Sequence, residues 1–481
     1  MYNINGQTIL SIYGYGIKKI GNEELIKELK EELTVSPSNN YNMNAKPVQF
    51  QIYSENSSRI YIPRFLGLQR FGLPDINKLS NGGVICNNLI FNGTLRESQI
   101  EPINNFIKAG SDPNKMGGII SVPCGFGKTI MSVYIACHFK VKTMFVSHKD
   151  FLNQQFLDSV KTFVPTAKIG KIKQSKVDII DKDIVIASLQ SLAMRDYDIN
   201  LFKDFGLVII DEVHHTGAEV FSRAFQKINS GIILGLSATL NRKDGLRKVF
   251  ENYIGKSVYK FTSNEKISLN VNIHKYFESD NNYSANIVLW NGKPNSAAMI
   301  NNICKYDKRN LFIIDIIIKL LINEPDRKIL ILSERRNQLK IIEKLLIENN
   351  YNSIGYYVGG LSQDVLDISS TKKIILATYQ MAAEGMNIPT LNTVIFASPI
   401  SDIQQSIGRI LREKPNERKY EPLCIDIWDQ FSLFIRKGYT RINYYKKNLY
   451  DIKYLLDGEV INFNNNDDNK TPTKFNFIED D

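Results

Sequence analysis

Cysteine and histidine are scarce in this chain, and neither is arranged for metal or disulfide chemistry. Cys86, Cys124, Cys137, Cys304 and Cys424 are the only 5 cysteines in 481 residues, and they form no CxxC pair or zinc-like Cys/His pattern. That excludes a disulfide framework or zinc finger as the organising device and fits a reducing, intracellular setting. Of the 5 histidines, His214 and His215 are adjacent but lack HExxH spacing, so a zinc hydrolase is not expected. Long apolar runs are absent as well. The longest, such as LFIIDIIIKLLI, are short and carry charge, and the opening MYNINGQTILSIYGYG has no basic-then-apolar leader. No membrane span and no secretory signal are expected.

What is present suits a large soluble α/β chain. Hydrophobic residues make up 43% and charged residues 23%, with Asn and Ile conspicuous, and the net charge of +10 with a pI near 9.0 permits a polyanionic partner without requiring one. At 481 residues two lobes and a smaller module are the natural division. Residues 1–90 mix a helical EELIKELKEEL with β-like VQFQIYS and RIYIPRF and read as a small α+β accessory module. From Leu95 short β-branched runs alternate with amphipathic helices, which predicts a parallel sheet over 91–262. The polar stretch 263–298 reads as a linker, the alternation resumes over 299–455, and the acidic, low-complexity tail 456–481 is expected to stay flexible.

Two segments carry chemistry. In GGIISVPCGFGKTIMSVYIA a β-run breaks into Gly125-Phe126-Gly127-Lys128-Thr129 and then a helix, with Val122, Pro123 and Cys124 as its lead-in. Glycines let backbone N–H groups face phosphate oxygens, the helix N-terminus adds its dipole, Lys128 reaches the terminal phosphates and Thr129 can ligate magnesium. The strict pattern has glycine where Val122 stands. The second segment, LVIIDEVHH, ends an apolar strand in Asp211 and Glu212. Asp211 can hold magnesium, and Glu212 can orient and deprotonate an attacking water. ATP and Mg2+ are the implied cofactors, and His215 is expected to link this site to Ser237-Ala238-Thr239.

PCGFGKT, DEVHH and GLSAT together resemble motifs I, II and III of the superfamily 2 DExH-type helicases, and further motifs follow in order. Gln99 in LRESQ resembles the adenine-reading segment, TMFVSHKDFLNQQF motif Ia, IASLQSL the next strand-contacting motif, KILILSERRNQL motif IV, ATYQMAAEGMNIP motif V and QQSIGRILR motif VI. The resemblance implies two RecA-like lobes with ATP hydrolysed between them. Gln405, Gly408, Arg409 and Arg412 match the motif VI pattern residue by residue; Arg412 is the arginine-finger candidate and Arg409 a phosphate contact. In motif V, Gly385 and Asn387 would serve the nucleotide, although Asn387 stands where the family commonly has Asp and cannot carry its charge.

The family grips its strand largely through phosphates, which makes Ser147, His148, Ser188, Gln190, Ser333, Arg335, Arg336 and Thr378 the candidate nucleic-acid contacts. The basic segment 241–245 could touch a duplex. The lead-in PCG, the DEVHH box and GLSATLNRKDG resemble the branch with the XPB-type and poxvirus transcript-release helicases, and YIPRFLGLQRFG resembles helicases of large DNA viruses. The expectation is a monomeric, DNA-stimulated helicase or translocase linked to viral transcription and its machinery, in the host cytoplasm or virion. An RNA helicase or ribonucleoprotein remodeller is the alternative. No strand-cutting metal cluster is expected.

Overall fold

The β-branched runs become buried strands of two large sheets. The computed structural model describes residues 4–36, 49–79, 82–123, 125–213, 218–228, 230–238, 246–261, 268–384, 386, 388–413, 417–456 and 459–461. The chain divides into two units, Met1–Thr262 and Ser263–Asp481.

In the first unit an 8-stranded sheet runs in the spatial order Lys176–Asp178, Ile169–Lys173, Ile184–Ser188, Thr143–Ser147, Leu207–Ile210, Ile232–Ser237, Gly117–Ser121, Ser257–Lys260. All neighbours are parallel except the antiparallel edge pair. Side chains alternate between two apolar layers: Met144 and Val146 enter one, Phe145 the other. Burial on both faces explains why these strands read as unbroken apolar runs rather than alternating ones. Gly117–Ser121 and the next long strand, Thr143–Ser147, are separated in space by two strands, and in such open sheets ligands usually bind outside the C-terminal ends of the strands.

The N-terminal region forms its own 5-stranded sheet, Ser54–Glu55, Arg59–Ile62, Gly14–Lys18, Ile9–Ser11, Ile76–Asn77. It has no separate core. Leu10, Tyr15, Ile60 and Phe65 belong to the same apolar cluster as Val208, Phe221, Phe250 and Tyr253 of the lobe. Arg64, at 1% exposure, donates to the backbone carbonyls of Ser230, Gly231 (2.9 Å) and Met116 (3.1 Å). The compositional change near Leu95 therefore marks a change of sheet type within one compact unit, in which the accessory region 1–90 shares the lobe's apolar cluster.

The second unit carries another 8-stranded sheet: Ile354–Tyr357, Ile374–Thr378, Ile329–Ser333, Thr393–Phe396, Leu423–Asp429, Asn270–Tyr276, Asp451–Leu456, Glu459–Ile461. Its strands are parallel apart from the final hairpin. The stretch read as a linker thus supplies an internal strand. Asn270–Tyr276 escaped notice because Asn and Lys interrupt its apolar face, although Val271, Ile273 and Tyr276 are buried. Glu459–Ile461 likewise extends the sheet into the stretch read as tail. Two buried aspartates of Leu423–Asp429, one mid-strand and one at its end, anchor helices: Asp429 takes both Nε (2.7 Å) and Nη2 (3.0 Å) of Arg309, and Asp426 binds Arg441 at 2.8 and 2.7 Å. Among the described residues no helix is long and apolar enough to cross a membrane. Both units thus carry mixed α/β sheets of RecA-like topology, with a smaller α+β region at the N-terminus.

Candidate active site

The phosphate-type loop leaves the buried strand Gly117–Ser121 and enters the helix Lys128–Phe139. Gly125 (φ 83°) and Gly127 (φ 93°) adopt left-handed backbone that a side chain would strain, and this turns the loop back over the helix N-terminus. A Cβ on Gly127 would come within 2.2 Å of Gln99 Nε2. Gln99 itself is buried: its amide oxygen accepts from Arg96 N at 2.9 Å, capping the helix Glu97–Ser111, and its amide nitrogen donates to Phe126 O at 3.1 Å. The side chain expected to read a base therefore also braces the loop. Phe126 in turn packs edge-on against Phe261, ring centres 5.1 Å apart.

Lys128 begins the helix nearly buried, and its Nζ stands 3.0 Å from Glu212 Oε1. Asp211 and Glu212 follow the fully buried strand Leu207–Ile210. Glu212 sits at φ 49°, a sparsely populated conformation for a residue with a Cβ, and its N–H donates to Asp211 Oδ1 at 2.9 Å. Burial, then the neighbouring Glu212 charge, raise the Asp211 pKa, with Lys128 pulling the other way. Among the described residues the Lys128 ammonium thus faces buried Asp211 and half-buried Glu212. The hard oxygen donors of Asp211 and Thr129 suit Mg2+ rather than a soft metal. Ser237 ends the strand between these two motifs, and its carbonyl accepts from Val122 N at 3.0 Å. Cys124, His214, His215, Thr239, the segment 241–245, Gly385 and Asn387 lie outside the described residues.

The expected strand contacts divide into two kinds. Ser147 and Ser188 are register partners at the ends of adjacent strands, as are Ser333 and Thr378 in the second sheet. Ser188 and Thr378 are half-buried, whereas Ser147 (1%) and Ser333 (0%) are buried and their hydroxyls are engaged internally. Ser147 Oγ donates to Lys149 O or Asn153 Oδ1, each at 2.9 Å. Ser333 Oγ donates to Gln338 Oε1 (2.7 Å) and accepts from Arg335 N (3.0 Å). The hydroxyls of Ser147 and Ser333 are therefore engaged within the fold, each fixing the helix that follows it. Asn153 and Gln338, the partners that sequence reasoning missed, stand six and five places later in SHKDFLN and SERRNQ. That recurrence was the available signal.

Gln190 is exposed and joins two other candidates, accepting from Ser188 Oγ at 3.3 Å and donating to His148 O at 2.9 Å. Arg335 is half-buried against Asn301 Oδ1 (2.5 Å) and Ala297 O (3.3 Å), and exposed Arg336 donates to Gly359 O at 2.5 Å. In motif VI the short helix Gln404–Ile407 carries half-buried Gln405 and leads through Gly408 to Arg409, whose Nη1 donates to Met386 O at 2.7 Å, joining motif V to motif VI. Arg412 is half-buried, and both arginines are close enough to Tyr357 to oppose the upward push of burial on its phenol.

Comparison with known proteins gives two family matches: "Type III restriction enzyme, res subunit" over residues 92–242 and "Helicase conserved C-terminal domain" over residues 313–414. A protein of Acanthamoeba polyphaga mimivirus named "Putative ATP-dependent RNA helicase" is 37% identical over 477 residues, covering 94% of this chain and 88% of that protein. A relative of the same name from African swine fever virus is 26% identical, covering 68% of each. Among solved structures, a fragment of a "putative HsdR subunit of a type I restriction enzyme" from Vibrio vulnificus matches with a TM-score of 0.54 at 17% identity, covering 78% of this chain and 72% of that one. This last likeness concerns fold alone.

Proposed function

Because the chain belongs to the superfamily 2 helicases, with relatives among those of large DNA viruses, we propose that it is an ATP-driven motor of DExH type that moves on or remodels RNA. ATP-dependent helicase or translocase activity is the family's property. The choice of RNA rests on one observation: the relative that matches along 94% of the chain bears the name of an RNA helicase. This reverses the preference for DNA drawn from the motifs. DNA remains the second reading, supported by the restriction-enzyme family match of the first lobe. Kinship with the XPB-type and poxvirus transcript-release branch, and with it a part in viral transcription, rests on PCGFGKT, DEVHH and GLSATLNRKDG.

The chemistry follows from the residues. Backbone N–H groups of Gly125–Thr129 and the helix dipole would cradle the phosphates, while Lys128 neutralises terminal charge. Mg2+, held by Thr129 and Asp211, would supply charge neutralisation on the phosphate oxygens. Glu212, fixed by its own N–H bond to Asp211 and paired with Lys128, is the group that orients and deprotonates water. Arg409 and Arg412 supply the permanent positive charge that stabilises the transferring phosphoryl group. Exposed Gln190 and Arg336, with Ser188, His148, Arg335 and Thr378, remain the proposed phosphate track.

The test is steady-state ATPase of wild type and Glu212→Gln at fixed salt, without polymer and with single-stranded RNA, duplex RNA, single-stranded DNA and duplex DNA. Stronger stimulation by RNA is expected. Stimulation by DNA alone would move the assignment to the second reading, and turnover no higher than that of Glu212→Gln under every condition would remove the enzyme assignment.

A further inference from the structure

Trp290 is 97% exposed, which is unusual for the largest apolar side chain. It stands at the tip of a tight hairpin within the second unit. Leu289 N donates to Lys293 O (2.7 Å), Gly292 N donates back to Leu289 O (2.9 Å), and Asn295 N closes the base on Ile287 O (2.7 Å). Val288 and Pro294 bridge antiparallel between them. Gly292 at φ 74° occupies the left-handed position that a three-residue hairpin loop of this kind requires. The turn is thus fully specified by backbone bonds, and the indole has no part in holding it. Val288 (53%) and Leu289 (42%) are exposed as well.

The segment itself carries charge of one sign. From Asn281 to Tyr306 the sequence contains no Asp or Glu, while Lys293 sits three residues past the tryptophan and is exposed. The hairpin leads into the helix Ser296–Lys305, on which two cations rest: Arg335 through Ala297 O and Asn301 Oδ1, and Lys437 through Ser296 Oγ at 3.4 Å. Among the described residues the carboxylate of Glu334 lies 3.7 Å from Arg335, and Asp280 and Asp307 flank the segment at its two ends. Arg335 is also a candidate phosphate contact, so the hairpin is rooted on the proposed strand track. A rigid, wet aromatic beside phosphate-binding cations is the combination by which proteins hold single strands without reading their sequence.

We propose that Trp290 is a base-stacking site for single-stranded nucleic acid, with Lys293 and Arg335 holding the adjoining phosphates. This rests on the reading of the chain as a nucleic-acid motor. Trp428, the other tryptophan, is 1% exposed and donates its Nε1–H to Ile435 O, so quenching of tryptophan fluorescence by added polymer reports chiefly on Trp290.

The experiment titrates the full chain with oligouridylate and with oligothymidylate, reading tryptophan fluorescence and, in parallel, the polymer concentration giving half-maximal ATPase. Quenching is expected in wild type. Trp290→Ala and Trp290→Leu should both raise the half-maximal concentration at least about fivefold, while Trp290→Phe, which keeps a π face, stays near wild type. Unchanged thermal midpoints would separate this effect from misfolding. A polymer that stimulates the ATPase without quenching, or a Trp290→Leu variant that behaves like wild type, would overturn stacking and leave the motor assignment standing. Self-association of wild type that Trp290→Ala abolishes, with no change in polymer dependence, would overturn it in favour of a second copy of this chain. Failure of every polymer to stimulate would remove both readings together.

Discussion

Lys128 Nζ lies 3.0 Å from Glu212 Oε1, joining the phosphate loop directly to the carboxylate proposed to activate water. The two groups come from helix and strand ends 84 positions apart in the chain, and the order of the parallel strands brings them together. Each therefore sets the electrostatics of the other, and their substitutions should separate binding from chemistry.

Lys128→Ala should weaken nucleotide binding, because it removes the cation aimed at the phosphates. Glu212→Gln should still bind nucleotide but hydrolyse it at least about a hundredfold more slowly, as when a positioned general base is lost. Equilibrium binding of a fluorescent ATP analogue alongside turnover reads both. Near-normal turnover by Glu212→Gln would refute its role.

Gly127→Ala should abolish nucleotide binding in a chain that remains folded. The substitution meets two obstacles, a φ of 93° and a Cβ placed 2.2 Å from Gln99 Nε2. Adding Gln99→Ala relieves only the second, so the double variant should recover little affinity. Full recovery would mean that crowding alone, and not backbone conformation, makes the glycine necessary.

Arg412→Ala should lower turnover while ATP affinity changes little, since a finger acts chiefly on the transition state. Arg409→Ala should lower turnover and also loosen the second unit locally, because Arg409 Nη1 binds the Met386 carbonyl at 2.7 Å. Separate measurement of KM and kcat, with thermal midpoints, distinguishes them. An equal loss of affinity in Arg412→Ala would assign it to ground-state binding.

His274 should make the second unit acid-sensitive. Burial lowers its pKa from 6.5 to about 4, against a smaller upward pull from Asp426. Between those values the unfolded chain takes up a proton that the folded chain refuses. Stability from the neutral, buried ring is therefore complete above the ordinary histidine range and is lost as pH falls toward about 4, by about 1.4 kcal/mol per pH unit. His274→Gln should flatten this part of the denaturant-midpoint profile between about pH 7 and about pH 5. An unchanged slope would show that other groups carry the acid response.

Asp429→Ala should destabilise the second unit by about 3–5 kcal/mol, because it strands the buried Arg309 guanidinium. Pairing it with Arg309→Met should restore much of that loss, as measured by chemical denaturation of both variants. A double variant no better than the single one would mean that the Arg309 bond to the Ala397 carbonyl matters more than the ion pair.

The fold was legible wherever burial is two-sided, as in Leu207–Ile210 and Ile329–Ser333, where unbroken apolar runs announce central parallel strands. It was not legible in Asn270–Tyr276, where polar residues alternate into a strand that is nonetheless internal to its sheet. The phosphate loop and the Asp211–Glu212 pair could be read because their chemistry demands fixed residue types at fixed spacing. Ser147 and Ser333, read as strand contacts, have hydroxyls held inside the fold. A hydroxyl at a strand end looks the same in sequence whether it faces solvent or is captured by the next helix, and the capture depends on Asn153 and Gln338. The brace from Gln99 to Phe126 is of the same kind, a contact between segments 27 residues apart.

The reach of Arg64 bears on how the chain is made. Its guanidinium finds its acceptors 166 and 167 positions downstream, at Ser230 and Gly231. On a ribosome adding about 5–20 residues per second, the first segment to emerge must wait many seconds for the strand that completes it. Its apolar face, Tyr15, Ile60 and Phe65 among others, stays uncovered over that interval. The N-terminal sheet is thus a late-closing part of an early-synthesised segment, and nascent chains arrested before residue 230 should be held by chaperones and cut readily by protease, whereas those extended past residue 262, the end of the first unit, should resist.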